Sequence, residues 1–122
     1  MLVAVGIVIG GGGGGGLPVC EVGVMTRHDL MPQVLAARPE RVDASVDGYI
    51  ATVECKRVGE TLTLRVNGRS YRVRVADCAT SAPVGRWPTK GGAIWLGDIE
   101  KRLWEAARLP GRPAGVVLCR EE

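Results

Sequence analysis

The chain lacks phenylalanine altogether, and only 4% of its 122 residues are aromatic. A core of this composition must be built from branched aliphatic side chains, which suits the interior of a small β-barrel. There is a single histidine and no Cys-x-x-Cys pair, so the ligand spacing of common metal sites is missing. We therefore predict no metal or other cofactor, and one domain with a modest core.

A strong excess of charge is also missing. The formal net charge is only +3, with 16 basic and 13 acidic residues. Proteins that bind nucleic acid usually concentrate many more lysines and arginines on one surface. We therefore expect no specific nucleic-acid partner.

No charged residue precedes Glu21. An apolar run over residues 2–9 is followed by seven glycines, Gly10 to Gly16. Because that run is about half the ~20 residues that a bilayer requires, we predict no transmembrane span. Residues 1–19 have three interpretations: a remnant targeting segment with a linker, a lipoprotein signal ending before Cys20, or an arm through which copies of the chain self-assemble.

The four cysteines are the clearest indication of the cellular compartment in which the protein is located. An even number of cysteines in a short chain favours two disulfides and an extracellular or cell-envelope location. Three connectivities are open to four cysteines, and the sequence does not choose among them. We favour Cys55–Cys78, because both residues end neighbouring predicted strands, together with Cys20–Cys119, which closes the first strand on the last.

Residues 20–122 alternate short strand patterns with turns. Asn67-Gly68 separates two alternating apolar runs and predicts a β-hairpin, because both turn residues need positive φ. A short helix is expected near residues 32–38. A second helix is expected from Ile99 to Arg108 with Asp98 as its N-cap. The predicted strands are Glu21–Arg27, Tyr49–Cys55, Thr61–Val66, Arg69–Ala76 and Ala114–Cys119.

Three short segments, Val73 to Cys78, Ile94 to Asp98 and Gly115 to Leu118, together resemble one known fold. They are similar to the double-psi β-barrel of rare lipoprotein A-like proteins, expansins and barwin. In that family one strand ends in Val-x-Asp, an Ile-Asp-Leu-Ser type segment opens a helix, and a Gly-x-x-Pro-Val type strand completes the barrel. Over residues 21–120 the resemblance implies a mostly β fold, a small six-stranded barrel with one α-helix in its C-terminal half.

Family members that cut glycan strands resemble lytic transglycosylases and use an acid where the second motif carries Asp. Aligned on the predicted helix cap, Asp98 matches the motif's Ser and Leu96 matches its Asp. A slip of one residue gives Trp95 or Gly97 instead, and neither is acidic. Asp77 does match the Val-x-Asp position. The resemblance therefore implies a secreted, non-catalytic module that binds a cell-envelope glycan or a protein partner.

Two alternatives stay open at this stage. One is a structural subunit of an extracellular filament or surface layer, held together by residues 1–19. The other is a glycan-cleaving enzyme that uses Asp77 with a second acid such as Glu54 or Asp98.

Five residues are the candidates for ligand binding. Asp77 follows a strand, where its carboxylate could instead accept backbone N–H groups. Trp87 lies in a Pro/Gly-rich loop and could stack on a sugar ring. An outward row of Arg65, Arg72 and Arg74 could hold an anionic polymer such as a wall glycan, although such faces are commonly just solvated.

His28 and Asp29 follow the first strand and would lie at the barrel mouth. A histidine beside an aspartate could act in catalysis, but this pairing is more common in surface loops. Trp95 and Trp104 are predicted to pack in the core.

Overall fold

The computed structural model describes residues 19–79 and 94–121. Strands dominate this part of the chain, accompanied by two short α-helices and two 3₁₀ turns. The 3₁₀ turns are Pro39–Arg41 and Cys55–Arg57. The strands and helices are β1 (Cys20–His28), α1 (Met31–Ala37), β2 (Gly48–Thr52), β3 (Thr61–Val66), β4 (Arg69–Cys78), β5 (Trp95–Glu100), α2 (Lys101–Ala106) and β6 (Ala114–Arg120).

The strands close into a barrel in the order β1-β5-β2-β4-β3-β6. β1 runs parallel to β5, and β2 runs parallel to β4, while the remaining neighbours are antiparallel. The predicted mostly β fold with a six-stranded barrel is confirmed. A closed mixed barrel of this kind is compatible with a double-psi β-barrel.

The β3–β4 hairpin forms where the sequence predicts it. Its turn residues Asn67 and Gly68 have φ values of 55° and 77°, the positive values that a two-residue hairpin turn requires. Leu62 pairs with Val73, and both are buried, whereas Tyr71 is partly buried against the core. The alternation of the sequence thus fixes which side of the hairpin faces inward.

Aliphatic side chains fill the interior of the barrel, as the absence of phenylalanine predicts. Every strand contributes to this core. Fully buried examples are Met25, Ile50, Leu64, Ile99 and Leu118, each with at most 1% of its surface exposed.

Helix α1 covers a second, smaller cluster of apolar residues. Met31 at the start of the helix is fully buried and packs with Tyr49, Ala51 and Ala76. The observed helix agrees with the short helix expected near residues 32–38, and Pro32 occupies its first turn. Because only two residues separate β1 from α1, this packing also fixes the end of β1.

Both predicted disulfides are present. Cys20 and Cys119 are direct partners across β1 and β6, and Cys55 joins the turn after β2 to Cys78 at the end of β4. The two bridges span 99 and 23 residues. Loops of these sizes correspond to about 3–5 kcal/mol of stabilisation per bridge through the restricted unfolded chain.

The start of the second helix differs from the prediction. Strand β5 continues to Glu100, which is the N-cap residue, and α2 begins only at Lys101. Residues of β5 pair with β1 on one side and with β2 on the other, so two ladders of hydrogen bonds hold this segment extended. Asp98 is therefore a strand residue, and the prediction that it caps the helix was wrong.

The buried stripe of the helix shifts accordingly. Ile99 faces the barrel core, Ala106 is exposed, and Trp104 is buried in its place. The chain leaves the helical conformation at Arg108, which has a φ of 58°. Burial of Trp95 and Trp104 confirms that both are core residues.

Some predicted features lie outside the described residues. These are Trp87, with most of its Pro/Gly-rich loop, and the N-terminal segment up to residue 18. Within the described ranges, no helix has the length and apolar character needed to cross a bilayer.

Candidate acid–base site

One row of paired residues crosses four neighbouring strands. Thr26 in β1 pairs with Asp98 in β5, Asp98 pairs with Ala51 in β2, and Ala51 pairs with Asp77 in β4. Asp98 and Asp77 thus lie on either side of Ala51. Since adjacent strands are ~4.8 Å apart, the two aspartate backbones are separated by about 10 Å.

The row lies on the outer side of the barrel wall. Met25 and Ile99 point into the core, so their neighbours Thr26 and Asp98 point the opposite way. His28, two residues after Thr26, shares its side of β1. The site is therefore next to the start of α1 rather than inside the barrel.

A chain of hydrogen bonds ends on Asp98. The indole N–H of Trp95 donates to Thr26 Oγ1 over 3.0 Å, and the Thr26 hydroxyl donates to Asp98 Oδ1. A threonine hydroxyl has one hydrogen, and the Gly97 carbonyl is more distant at 3.5 Å. Oδ1 of Asp98 is thereby an acceptor, and a proton bound to this carboxyl belongs on Oδ2.

His28 is oriented toward the second aspartate. The backbone N–H of Leu30 donates to His28 Nδ1 over 3.1 Å, so that nitrogen acts as an acceptor. The ring hydrogen of neutral His28 is then on Nε2, which lies 3.3 Å from Asp77 Oδ2. The imidazole donates to the Asp77 carboxylate and fixes its position.

The electrostatics of the site raise the pKa of Asp98. Burial raises the pKa of the Asp98 carboxyl above its ordinary value, and the charges of Asp77 and Asp29 raise it further. The hydrogen bond from Thr26 and the proximity of His28 act in the opposite direction. An acid of this kind holds its proton at a higher pH than a solvated aspartate and can donate it to a bound molecule.

Gly97 allows β5 to approach β2 at this point. Its φ is 137°, and a Cβ atom there would lie 1.9 Å from the Ala51 carbonyl oxygen. No other residue type fits this position without displacing one of the two strands. The glycine therefore helps to place Asp98 beside Ala51.

A surface cavity of about 440 Å³ adjoins the row. Its lining includes Thr26 and Asp29 from β1 and the residue after it, and Trp104, Arg112 and Pro113 from α2 and the loop that follows. A larger hollow of about 560 Å³ lies at the β3–β4 hairpin and is lined by Arg65, but by no carboxylate. Of these two cavities, the smaller one includes Thr26, which hydrogen-bonds Asp98, although Asp98, Asp77 and His28 are not part of its lining.

The structure brings together several residues that the sequence marks separately. Asp77 in β4 and the consecutive residues His28 and Asp29 at the end of β1 all lie close enough to Asp98 to affect its pKa, although they come from two distant segments. Glu54, the other proposed second acid, instead lines a separate hollow with Lys56 and Arg57, which does not include Asp77.

Two arginines of the predicted row, Arg72 and Arg74, make contacts within the protein. Arg72 binds Glu121 at 2.9 Å and the Ser45 carbonyl at 3.1 Å, and Arg74 binds Asp43 and the Gly59 carbonyl. These contacts hold the loop before β2 and the turn before β3. Arg65 is exposed, and no side-chain hydrogen bond or ion pair to it occurs within residues 19–79 and 94–121.

Asp98 is the candidate site residue whose secondary structure the sequence interpretation predicted wrongly. Locally, Gly-Asp-Ile-Glu has the pattern of a helix N-terminus, and the strand pairing that overrides it comes from β1 and β2. The alternative to a helix N-terminus here is a six-residue strand, β5, which begins at the buried Trp95.

No group of three or more histidine, cysteine or acidic side chains in the described part of the chain is arranged to hold a metal ion. Comparisons with family models, with curated proteins and with solved structures found no match to this chain. The function must therefore be argued from the geometry of the site.

Proposed function

We propose that the protein is a secreted double-psi β-barrel that cleaves the glycosidic bonds of a cell-envelope glycan, with Asp98 as the proton donor. The observation that carries this proposal is the position of Asp98. It is a largely buried acid with a raised pKa, in one row with a second carboxylate that a histidine orients.

The observed helix start supports the family resemblance. The family motif has its acid two residues before the helix cap. Since the cap is Glu100, that place falls on Asp98, and Leu96 and Trp95 are instead core residues. The expectation of a non-catalytic module came from an alignment with Asp98 as the helix cap, and an alignment on Glu100 favours the catalytic alternative instead.

The proposed reaction requires that one proton is donated to the leaving oxygen and that one proton is removed from the attacking hydroxyl. Oδ2 of Asp98 donates its proton to the glycosidic oxygen as the bond from that oxygen to the sugar carbon breaks. The attacking hydroxyl, from water or from the sugar itself, gives its proton to the Asp77 carboxylate. His28 holds that carboxylate in place through Nε2–H. The proton balance is restored by exchange with solvent.

Two disulfides support a location in an oxidising compartment, such as the cell envelope or the extracellular space. Self-assembly through residues 1–19 stays a prediction, because residues 1–18 lie outside the described ranges. A glycan substrate is accessible in that compartment, which fits the proposed activity.

Incubation with purified peptidoglycan tests the proposal. Wild-type protein should release soluble glycan fragments, and the isosteric variants Asp98→Asn and Asp77→Asn should release at least ~100-fold less, the typical contribution of general acid–base catalysis. Glu54→Gln is the matched control, because Glu54 lines a different hollow, and it should keep wild-type activity. Release by Asp98→Asn at the wild-type rate would disprove the proposed role.

A further inference from the structure

The cavity beside the acid–base row carries an unneutralised positive charge. Arg27 and Arg112 both line it, together with one acid, Asp29. Arg27 Nε binds Asp29 Oδ1 at 2.6 Å, and a second nitrogen binds Oδ2 at 3.2 Å, so these two charges compensate each other. Arg112 is exposed and has no side-chain hydrogen bond or ion pair among the residues that the structure describes.

The segment that carries Arg112 is held against the barrel. The indole N–H of Trp104 donates to the Pro110 carbonyl over 3.0 Å, and Trp104 itself is buried. This bond ties the loop after α2 to the core two residues before Arg112. The guanidinium is thus presented at a cavity that also contains Thr26, the residue that hydrogen-bonds Asp98.

We propose that Arg112 forms an anionic subsite that binds a carboxylate on the sugar next to the cleaved bond. This inference rests on the proposed function, and it makes the substrate class a carboxylate-bearing glycan. A guanidinium can hold a carboxylate through two parallel hydrogen bonds, which fixes the orientation of the sugar as well as attracting it.

The proposed subsite also offsets the negative charge of the acid–base site, which would otherwise repel an anionic substrate. A free anionic substrate would be repelled by Asp77 and by any ionised Asp98, which lie close together, whereas the charge of Asp29 is compensated by Arg27. Arg112 supplies a compensating positive charge in the lining of the cavity. Binding should therefore depend on salt, since the guanidinium is exposed.

Calorimetry on the Asp98→Asn protein measures binding without turnover. The probes are a tetrasaccharide of alternating N-acetylglucosamine and N-acetylmuramic acid with free carboxylates, and its methyl ester. Adding Arg112→Gln should weaken binding of the acid about three- to tenfold and leave the ester unchanged, as expected for one partly exposed charged contact. Arg112→Lys should retain part of the affinity.

Arg65→Gln is the matched control, because Arg65 is an equally exposed arginine at a different hollow. Equal losses for Arg65→Gln and Arg112→Gln would overturn the subsite, since they would reflect net charge alone. An equal loss for the acid and the ester would overturn it too, as would tighter binding of a glycerol-phosphate polymer than of the acid. Because binding is the readout, the subsite can stand even if peptidoglycan cleavage fails, and cleavage can stand if the subsite fails.

Discussion

The contact at Gly97 leads to a stability prediction whose size follows from the geometry. Replacement by alanine forces a side chain into a φ of 137° and brings Cβ to 1.9 Å from the Ala51 carbonyl oxygen. Positive φ costs about 1–3 kcal/mol for a residue with a Cβ atom. Overpacking against backbone adds about 1–3 kcal/mol. Gly97→Ala should therefore lower the free energy of unfolding by about 2–6 kcal/mol.

Two other glycines separate these contributions. Gly59 has a φ of 103°, but a Cβ atom there would meet nothing within 4 Å, so Gly59→Ala should cost only the conformational part, about 1–3 kcal/mol. Gly115 in β6 also has open space, and its φ is not in the positive range. Gly115→Ala should be neutral or stabilise by about 0.4–1 kcal/mol, because alanine restricts the unfolded chain.

Urea unfolding with the disulfides intact, followed by the fluorescence of the buried Trp95 and Trp104, measures all three variants. The expected order of stability is Gly115→Ala, then Gly59→Ala, then Gly97→Ala. If Gly97→Ala were as stable as Gly115→Ala, β5 would not approach β2 as closely as described, and the placement of Asp98 would lose its support.

Four further predictions concern the acid–base site, a second titrating carboxyl and the disulfide next to the site. Because the pKa of Asp98 is raised in the folded state, its contribution to stability is complete below its unfolded pKa of ~3.9 and is lost as the pH rises through the folded value. Asp98→Asn should therefore be more stable than wild type at neutral pH, and this difference should vanish in acid. The opposite holds for Asp43, because hydrogen bonds from the side chain and backbone of Ser45 lower its pKa to about 2. Asp43→Asn should therefore destabilise the protein at neutral pH, and the loss of stability should fade as the pH drops toward 2. Thermal unfolding at several pH values checks both variants, and a pH dependence of the opposite sign would contradict the corresponding prediction. Thr26→Val removes a hydrogen bond that lowers the pKa of Asp98, so the alkaline limb of the pH–rate profile should move to higher pH, and an unmoved limb would remove Thr26 from the site. Replacing Cys55 and Cys78 by serine frees the end of β4 and should lower activity more than removing the other disulfide, compared at a temperature where both proteins are folded. Equal activities would show that the bridge does not position Asp77, the proposed catalytic carboxylate.

The parts of the fold that the sequence predicts are those set by local chemistry. Asn67-Gly68 specifies its hairpin because the turn needs two positive φ values, and alternation specifies the buried side of the flanking strands. The disulfide Cys55–Cys78 was expected because both cysteines were predicted to end neighbouring strands, and the bridge forms although Cys55 lies in the 3₁₀ turn after β2. These features depend on residues close together in sequence or on a single long-range pair.

The candidate site is only partly predictable from the sequence, because its residues come from strands that are far apart in the chain. Asp77 and His28 stand out individually, but their meeting depends on the way the closed barrel brings β1, β5, β2 and β4 side by side. Asp98 has a good N-cap pattern around it, and pairing with two distant strands overrides that pattern. Local propensity decides helix boundaries only where tertiary pairing does not compete.

The most direct test of the account is the rate of glycan-fragment release from purified peptidoglycan as a function of pH, for wild type and for Asp98→Asn. Wild-type activity should fall as the pH rises through the raised pKa of Asp98, and the folded variant should be at least ~100-fold less active over the same pH range. A folded Asp98→Asn protein that releases fragments with the wild-type pH profile would contradict the assignment of Asp98 as the proton donor.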